Sequence, residues 1–103
     1  MKNEYFSTGI KTASELIESC EGYLKEIMLF TDGTNDAKLI IYDTQDTYGV
    51  NDMALAGLSV QGSALFRHLT LPPIKFKAGL YAKLEGTGAS YILIYSRTWK
   101  KEM

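Results

Sequence analysis

The chain has 103 residues, 46% of them hydrophobic and 22% charged, with a formal net charge of −1. That length allows one domain with a single modest core, and the composition is that of a globular chain and not of a disordered one. The near-neutral balance supplies no basic stripe to neutralise phosphates, so no nucleic-acid partner is expected.

At the N-terminus, Met1-Lys2-Asn3-Glu4-Tyr5 lacks the apolar segment of a secretory signal, which points away from export by the general secretory route. Tyr5 to Thr12 follows neither a helical nor a strand period. An aromatic arm toward a neighbouring subunit and an edge strand closing the chain's own sheet both stand. Residues 12–28 are ambiguous. Thr12-Ala13-Ser14-Glu15 fits a capping box, and Leu16, Ile17, Cys20, Leu24, Ile27 and Met28 can share a helical face, but Gly22 interrupts the pattern. Read as strands, residues 14–20 and 23–31 form a hairpin turning at Glu21-Gly22. The second strand then carries Tyr23, Ile27 and Leu29 opposite Leu24, Met28 and Phe30.

Asp32-Gly33 predicts another hairpin, leading into a strand over 37–44. Residues 43–62 form the longest irregular stretch, as expected of a crossing between sheets or an exposed loop. Within it, Met53 to Ala56 reads as a turn of helix or as a strand running on to Leu58 and Val60. From Ala64 to Leu71, Leu65, Arg67, Leu69 and Leu71 alternate with Phe66, His68 and Thr70. Pro72-Pro73 is expected to stop that strand, at its end or at a sheet edge. Ala78 to Tyr95 predicts a hairpin. Leu80, Ala82 and Leu84 alternate with Tyr81, Lys83 and Glu85, Gly86-Thr87-Gly88 supplies a positive-φ reversal, and Tyr91 to Tyr95 has no polar face.

About seven or eight short strands without a long helical pattern predict an all-β chain, a single-domain antiparallel β-sandwich or jelly roll. The sandwich is placed at residues 13–96, between an arm or edge strand at 1–12 and a tail at 97–103. No apolar run approaches the roughly 20 residues of a membrane-crossing helix, so no membrane partner is expected.

Chemistry finds little support. His68, the sole histidine, sits in a strand pattern beside Arg67 without a nucleophile motif, and reads as a surface or half-buried strand residue. Cys20 reads as a small, mostly buried thiol. Gly86-Thr87-Gly88 precedes a strand and not a helix, so it makes no phosphate cradle. Asp32, Asn35 and Asp36 crowd one turn, and Asp43, Asp46, Asn51 and Asp52 border the long loop. They offer the oxygens calcium takes but lack EF-hand spacing, and read as solvated turn residues. No catalytic residue, cofactor or metal is assigned, and the chain is not expected to be an enzyme.

Aromatic residues are the more informative feature, with seven Tyr, four Phe and one Trp. Such side chains are enriched at interfaces, and at least two strands here are apolar on both faces. Candidate interface residues are Tyr5, Phe6, Tyr81, Tyr91, Tyr95 and Trp99. The expected partner is the chain itself, as a homo-oligomer.

Phe76 to Ala89 contains Gly79-Leu80-Tyr81-Ala82-Lys83-Leu84-Glu85-Gly86-Thr87-Gly88-Ala89. This run resembles the C-terminal hairpin, G-[LI]-Y-x-x-[LV]-x-G-T-G-A, of short tailed-bacteriophage virion structural proteins. Gly22-Tyr23-Leu24, Ile27-Met28-Leu29 and Lys38-Leu39-Ile40-Ile41-Tyr42-Asp43 are similar to that group's preceding strands, so the likeness spans roughly residues 20–96. It tips residues 12–28 toward strands. It implies a non-enzymatic virion protein, made in the host cytoplasm and carried on the particle as a capsid decoration, cement or head-fibre base. Such a protein would assemble as an oligomer, a trimer by the symmetry of such proteins, on major capsid or tail proteins. The alternatives are a tail or baseplate component and a carbohydrate-binding receptor-recognition module.

Overall fold

A computed structural model describes residues 5–44 and 54–97. They form eight strands: β1 (Tyr5–Ser7), β2 (Glu15–Glu18), β3 (Gly22–Phe30), β4 (Ala37–Tyr42), β5 (Ala54–Val60), β6 (Phe66–Phe76), β7 (Leu80–Glu85) and β8 (Ser90–Arg97). Two four-stranded sheets result, ordered β1-β8-β3-β6 and β2-β7-β4-β5. Every pairing is antiparallel.

The pairs β1·β8, β2·β7, β3·β6 and β4·β5 are nested. The chain is one long hairpin with arms β1–β4 and β5–β8, rolled up so that β3 also meets β8 and β4 meets β7. That is the connectivity of a jelly roll, and the predicted all-β sandwich is the fold. The N-terminal ambiguity resolves to strands: β1 closes the chain's own sheet on β8, and residues 15–18 and 22–30 are extended.

The predicted hairpins are in the wrong place. β2 and β3, β3 and β4, and β7 and β8 each lie in different sheets, so Glu21-Gly22, Asp32-Gly33 and Gly86-Thr87-Gly88 mark arches from one layer to the other. Of the stretch 43–62, expected to be a sheet crossing or an exposed loop, residues 54–60 are strand β5, which pairs with β4 in the same sheet, so the chain does not change sheets there; residues 45–53 lie outside the described residues. Turn residues locate a reversal. Whether it stays in a sheet depends on where both flanking strands bury their apolar sides, and each of these strands has a core face. Gly86 shows the local demand: its φ is +121°, and a Cβ there would run into the Asp36 carbonyl.

The core lies between the layers: Leu24, Ile27 and Leu29 of β3 and Tyr91 and Leu93 of β8 face Leu39 and Ile41 of β4 and Leu80 and Ala82 of β7. Each large aliphatic side chain removed from water contributes about 1.5–3 kcal/mol. The inward phase of β3 is not strictly alternating. At Lys25-Glu26 the register shifts against both β6 and β8, so a bulge puts Leu24, Ile27 and Leu29 inward and Tyr23, Met28 and Phe30 outward. Strict alternation had grouped Tyr23 with Ile27 and Leu29; the bulge reverses that. β6 does not stop at the prolines but runs through them on a sheet edge. There its pairing jumps from Glu26↔Thr70 to Leu24↔Ile74.

Candidate functional site

The feature that stands apart is the outer face of the β1-β8-β3-β6 sheet, where paired residues share a side. Cross-strand rows are Ser90, Phe30 and Phe66, then Ile92, Met28 and His68, then Ile94, Glu26 and Thr70. Phe30 and Phe66 rings lie 6.0 Å apart. Phe66 is 59% exposed and the adjoining Leu65 65%, so this apolar strip meets water at its β6 end. The surplus predicted from strands apolar on both faces is therefore located: it is the outward set of β3 and β8 with Phe66 beside it.

At the opposite end of the face, Tyr5 of β1 and Tyr23 of β3 flank Ser96, on strands two positions apart and so about 10 Å from each other. They are 49% and 38% exposed. Lys25 Nζ lies 4.8 Å from the centre of the Tyr5 ring, a cation–π contact.

Of the five candidate interface residues that are described, Tyr5 alone lies exposed on this face. Phe6 turns inward, half-buried, 5.7 Å from the Tyr95 ring with the Arg97 guanidinium 4.6 Å from its own. Tyr91 is fully buried, and its phenol donates to the Ala13 carbonyl at 2.9 Å. Burial pushes that phenol's pKa far above its ordinary value. Tyr95 is buried in the core and Tyr81 is buried at the paired Tyr42, in the other sheet. The side chains of Tyr81, Tyr91 and Tyr95 are covered within this chain. Trp99 lies outside the described residues. Sequence reasoning missed Phe66, Phe30, Met28, Ile92 and Tyr23. The signal was the Phe66-His68-Thr70 alternation, which places Phe66 on one side with polar residues.

The polar groups are engaged in structure. His68 Nε2 lies 2.9 Å from Glu26 Oε1, exposed on the same face as expected of a strand histidine. Cys20, expected to be mostly buried, is exposed. Its thiol donates to Glu18 Oε2 at 3.2 Å, and Glu18 Oε1 accepts from Arg97 Nε at 2.8 Å. Burial and the neighbouring Glu18 raise the thiol's pKa, the wrong direction for a nucleophile. Burial would raise Glu18, but the Arg97 and Cys20 hydrogen bonds outweigh it and hold the carboxyl below its ordinary value.

Asp32 accepts from Thr34 and Asn35 N–H, and Asp36 accepts from Gly62 N–H. Asp43 accepts from Lys77, Ala78 and Gly79 N–H at 3.0, 2.7 and 3.2 Å. These carboxylates brace loops. Asp46, Asn51 and Asp52 lie outside the described residues, among which no group of three or more His, Cys, Asp or Glu side chains could hold a metal. An open cleft of about 450 Å³ at one end of the second sheet is lined by Asp36, Lys38, Ser59, Gln61 and Glu85, and its Asp36 is the one bound to Gly62. Among the described residues no helix is long and apolar enough to cross a membrane.

Comparisons with family models, curated proteins and solved structures find no match.

Proposed function

We propose that this chain is a non-enzymatic structural protein of a tailed-bacteriophage virion, a capsid decoration, cement or head-fibre base that works by adhesion. It would assemble with itself and seat on major capsid proteins, and its place in the cell would be the particle formed in the host cytoplasm. The observation that carries this reading is the apolar outer face of the β1-β8-β3-β6 sheet. Ile92, Met28, Phe30 and Phe66 are spent on no core of this chain, and such surface is stabilised by being covered. At about 25 cal/mol per Å², a contact of roughly 1,000 Å² per subunit is ample once a lattice presents many sites. The resemblance of residues 20–96 to short virion proteins supplies the setting.

A second reading has its own observation. Tyr5 and Tyr23, both exposed on one face on either side of Ser96, offer stacking faces of the kind a sugar-binding receptor-recognition module uses. Co-sedimentation with tailed-phage particles, alongside a glycan array, separates the two. Adhesion predicts pelleting with capsids or tails at a fixed stoichiometry, weakened in Phe66→Glu and unchanged in Tyr23→Ala. Failure to pellet, together with array binding lost in Tyr23→Ala, would replace adhesion to the virion with glycan recognition.

A further inference from the structure

We propose that the free edge of β6 pairs antiparallel with the same edge of a second copy, joining two β1-β8-β3-β6 sheets into one across a two-fold axis at His68. The inference rests on the self-association in the functional reading and adds the surface and the symmetry.

Among the described residues, β6 has one strand neighbour, β3, so its other side is an edge. Which groups face that edge follows from one hydrogen bond. Thr31 N–H donates to the Leu65 carbonyl at 2.9 Å, so Leu65 faces β3. Backbone direction alternates along an antiparallel strand. Arg67 and Leu69 therefore also bond β3, and Phe66, His68 and Thr70 direct N–H and C=O outward. Pro72, next in that series, has no N–H and ends the run.

The other edges are poorer templates. β1 and β2 have three and four residues. On β5, the Ser59 carbonyl already accepts from Arg67 Nη1 at 3.3 Å. Edges are commonly blunted by shortness, proline or charge, and the Phe66 to Leu71 half of β6 has no proline and an exposed apolar start.

A second copy fits because the edge is self-complementary. An antiparallel pairing centred on His68 sets His68 against its symmetry mate and Phe66 against Thr70 of the other copy. Every outward group is used, since each such pair exchanges two N–H···O bonds. The same register brings the exposed Leu65 opposite the half-buried Leu71 of the other copy, and it opposes no two arginines or lysines. On the outer face the two His68 side chains then meet at the axis, and each Phe66, at the end of its Phe30 row, stands beside Thr70 of the other copy.

The test is sedimentation equilibrium of the full chain, of Thr70→Pro and of Phe66→Glu, with circular dichroism to verify folding. Proline at Thr70 removes an outward N–H without touching a β3 bond. Glutamate at the exposed Phe66 leaves the core alone and sets a charge beside Thr70 of the other copy, in one row with that copy's Glu26 on the next strand, so it serves even where the proline variant does not fold. The full chain should sediment at twice the 11.5 kDa of one chain, and the folded variants should dissociate at least tenfold more readily. Amide exchange at Phe66, His68 and Thr70 should be at least tenfold slower in the full chain than in Phe66→Glu. A full chain that is monomeric, a trimer, or a dimer undisturbed in Phe66→Glu overturns the pairing. The trimer alone would leave the broader assembly reading intact.

Discussion

Asp43 ties the end of β4 to the β6–β7 connection, because three successive backbone N–H groups, of Lys77, Ala78 and Gly79, converge on it. Burial works to raise its pKa, and those hydrogen bonds outweigh it and hold the carboxyl below its ordinary value. A depressed carboxyl contributes stability that is present above its unfolded value and is lost as pH falls through the folded one. Asp32, held down by Asn35 and Thr34 N–H, shifts in the same direction. Asp43→Asn should therefore lose about 1–2 kcal/mol at pH 7 and show a shallower loss below about pH 4, measured by urea unfolding at both pH values. Tyr91→Phe strands the Ala13 carbonyl and should cost about 1–2 kcal/mol in the same assay. Gly22 is fixed by close approach: a Cβ would enter the Ser96 carbonyl and sit 2.8 Å from the Phe76 ring. Gly22→Ala should cost about 3 kcal/mol or abolish folding, visible as a loss of the cooperative thermal transition.

At the level of strands, the sequence made extended segments legible because alternation and punctuation agree along most of the chain. Leu80, Ala82 and Leu84 against Tyr81, Lys83 and Glu85 is such a pattern, and these residues fall on the faces it implies. What could not be read is how strands are shared between layers. Gly86-Thr87-Gly88 is compatible with a hairpin or an arch, and the outcome is set by β4 and β3, distant in sequence, pairing with β7 and β8. The Lys25-Glu26 bulge was equally hidden, since an inserted residue flips the phase of β3 without a distinctive residue type. It gives a sharp mutational contrast. Leu24→Ala should cost about 3 kcal/mol, as for a buried leucine, and Tyr23→Ala about 1 kcal/mol or less, by denaturant unfolding. Strict alternation would have paired Leu24 with the half-buried Met28 and Phe30. The candidate site was half legible for the same reason: a surplus of apolar strand faces was plain, but Tyr91 and Tyr95 went to the core and Tyr81 is buried at the paired Tyr42 on the other side of its sheet, while Phe66, Leu65, Tyr5 and Tyr23 are exposed.

For the whole molecule, the balance between covered and uncovered apolar surface is the functional statement. One side of the β1-β8-β3-β6 sheet makes the core, and the other carries Ile92, Met28 and Phe30 half-buried and Phe66 largely exposed. A chain of 103 residues gains from covering that side with something outside itself. The most direct measurement is the molar mass in solution by light scattering, at micromolar concentration and again after hundredfold dilution. A multiple of 11.5 kDa that falls on dilution, and falls further in Phe66→Glu, is the predicted result. A mass of one chain at every concentration would contradict the claim that this face is an assembly surface.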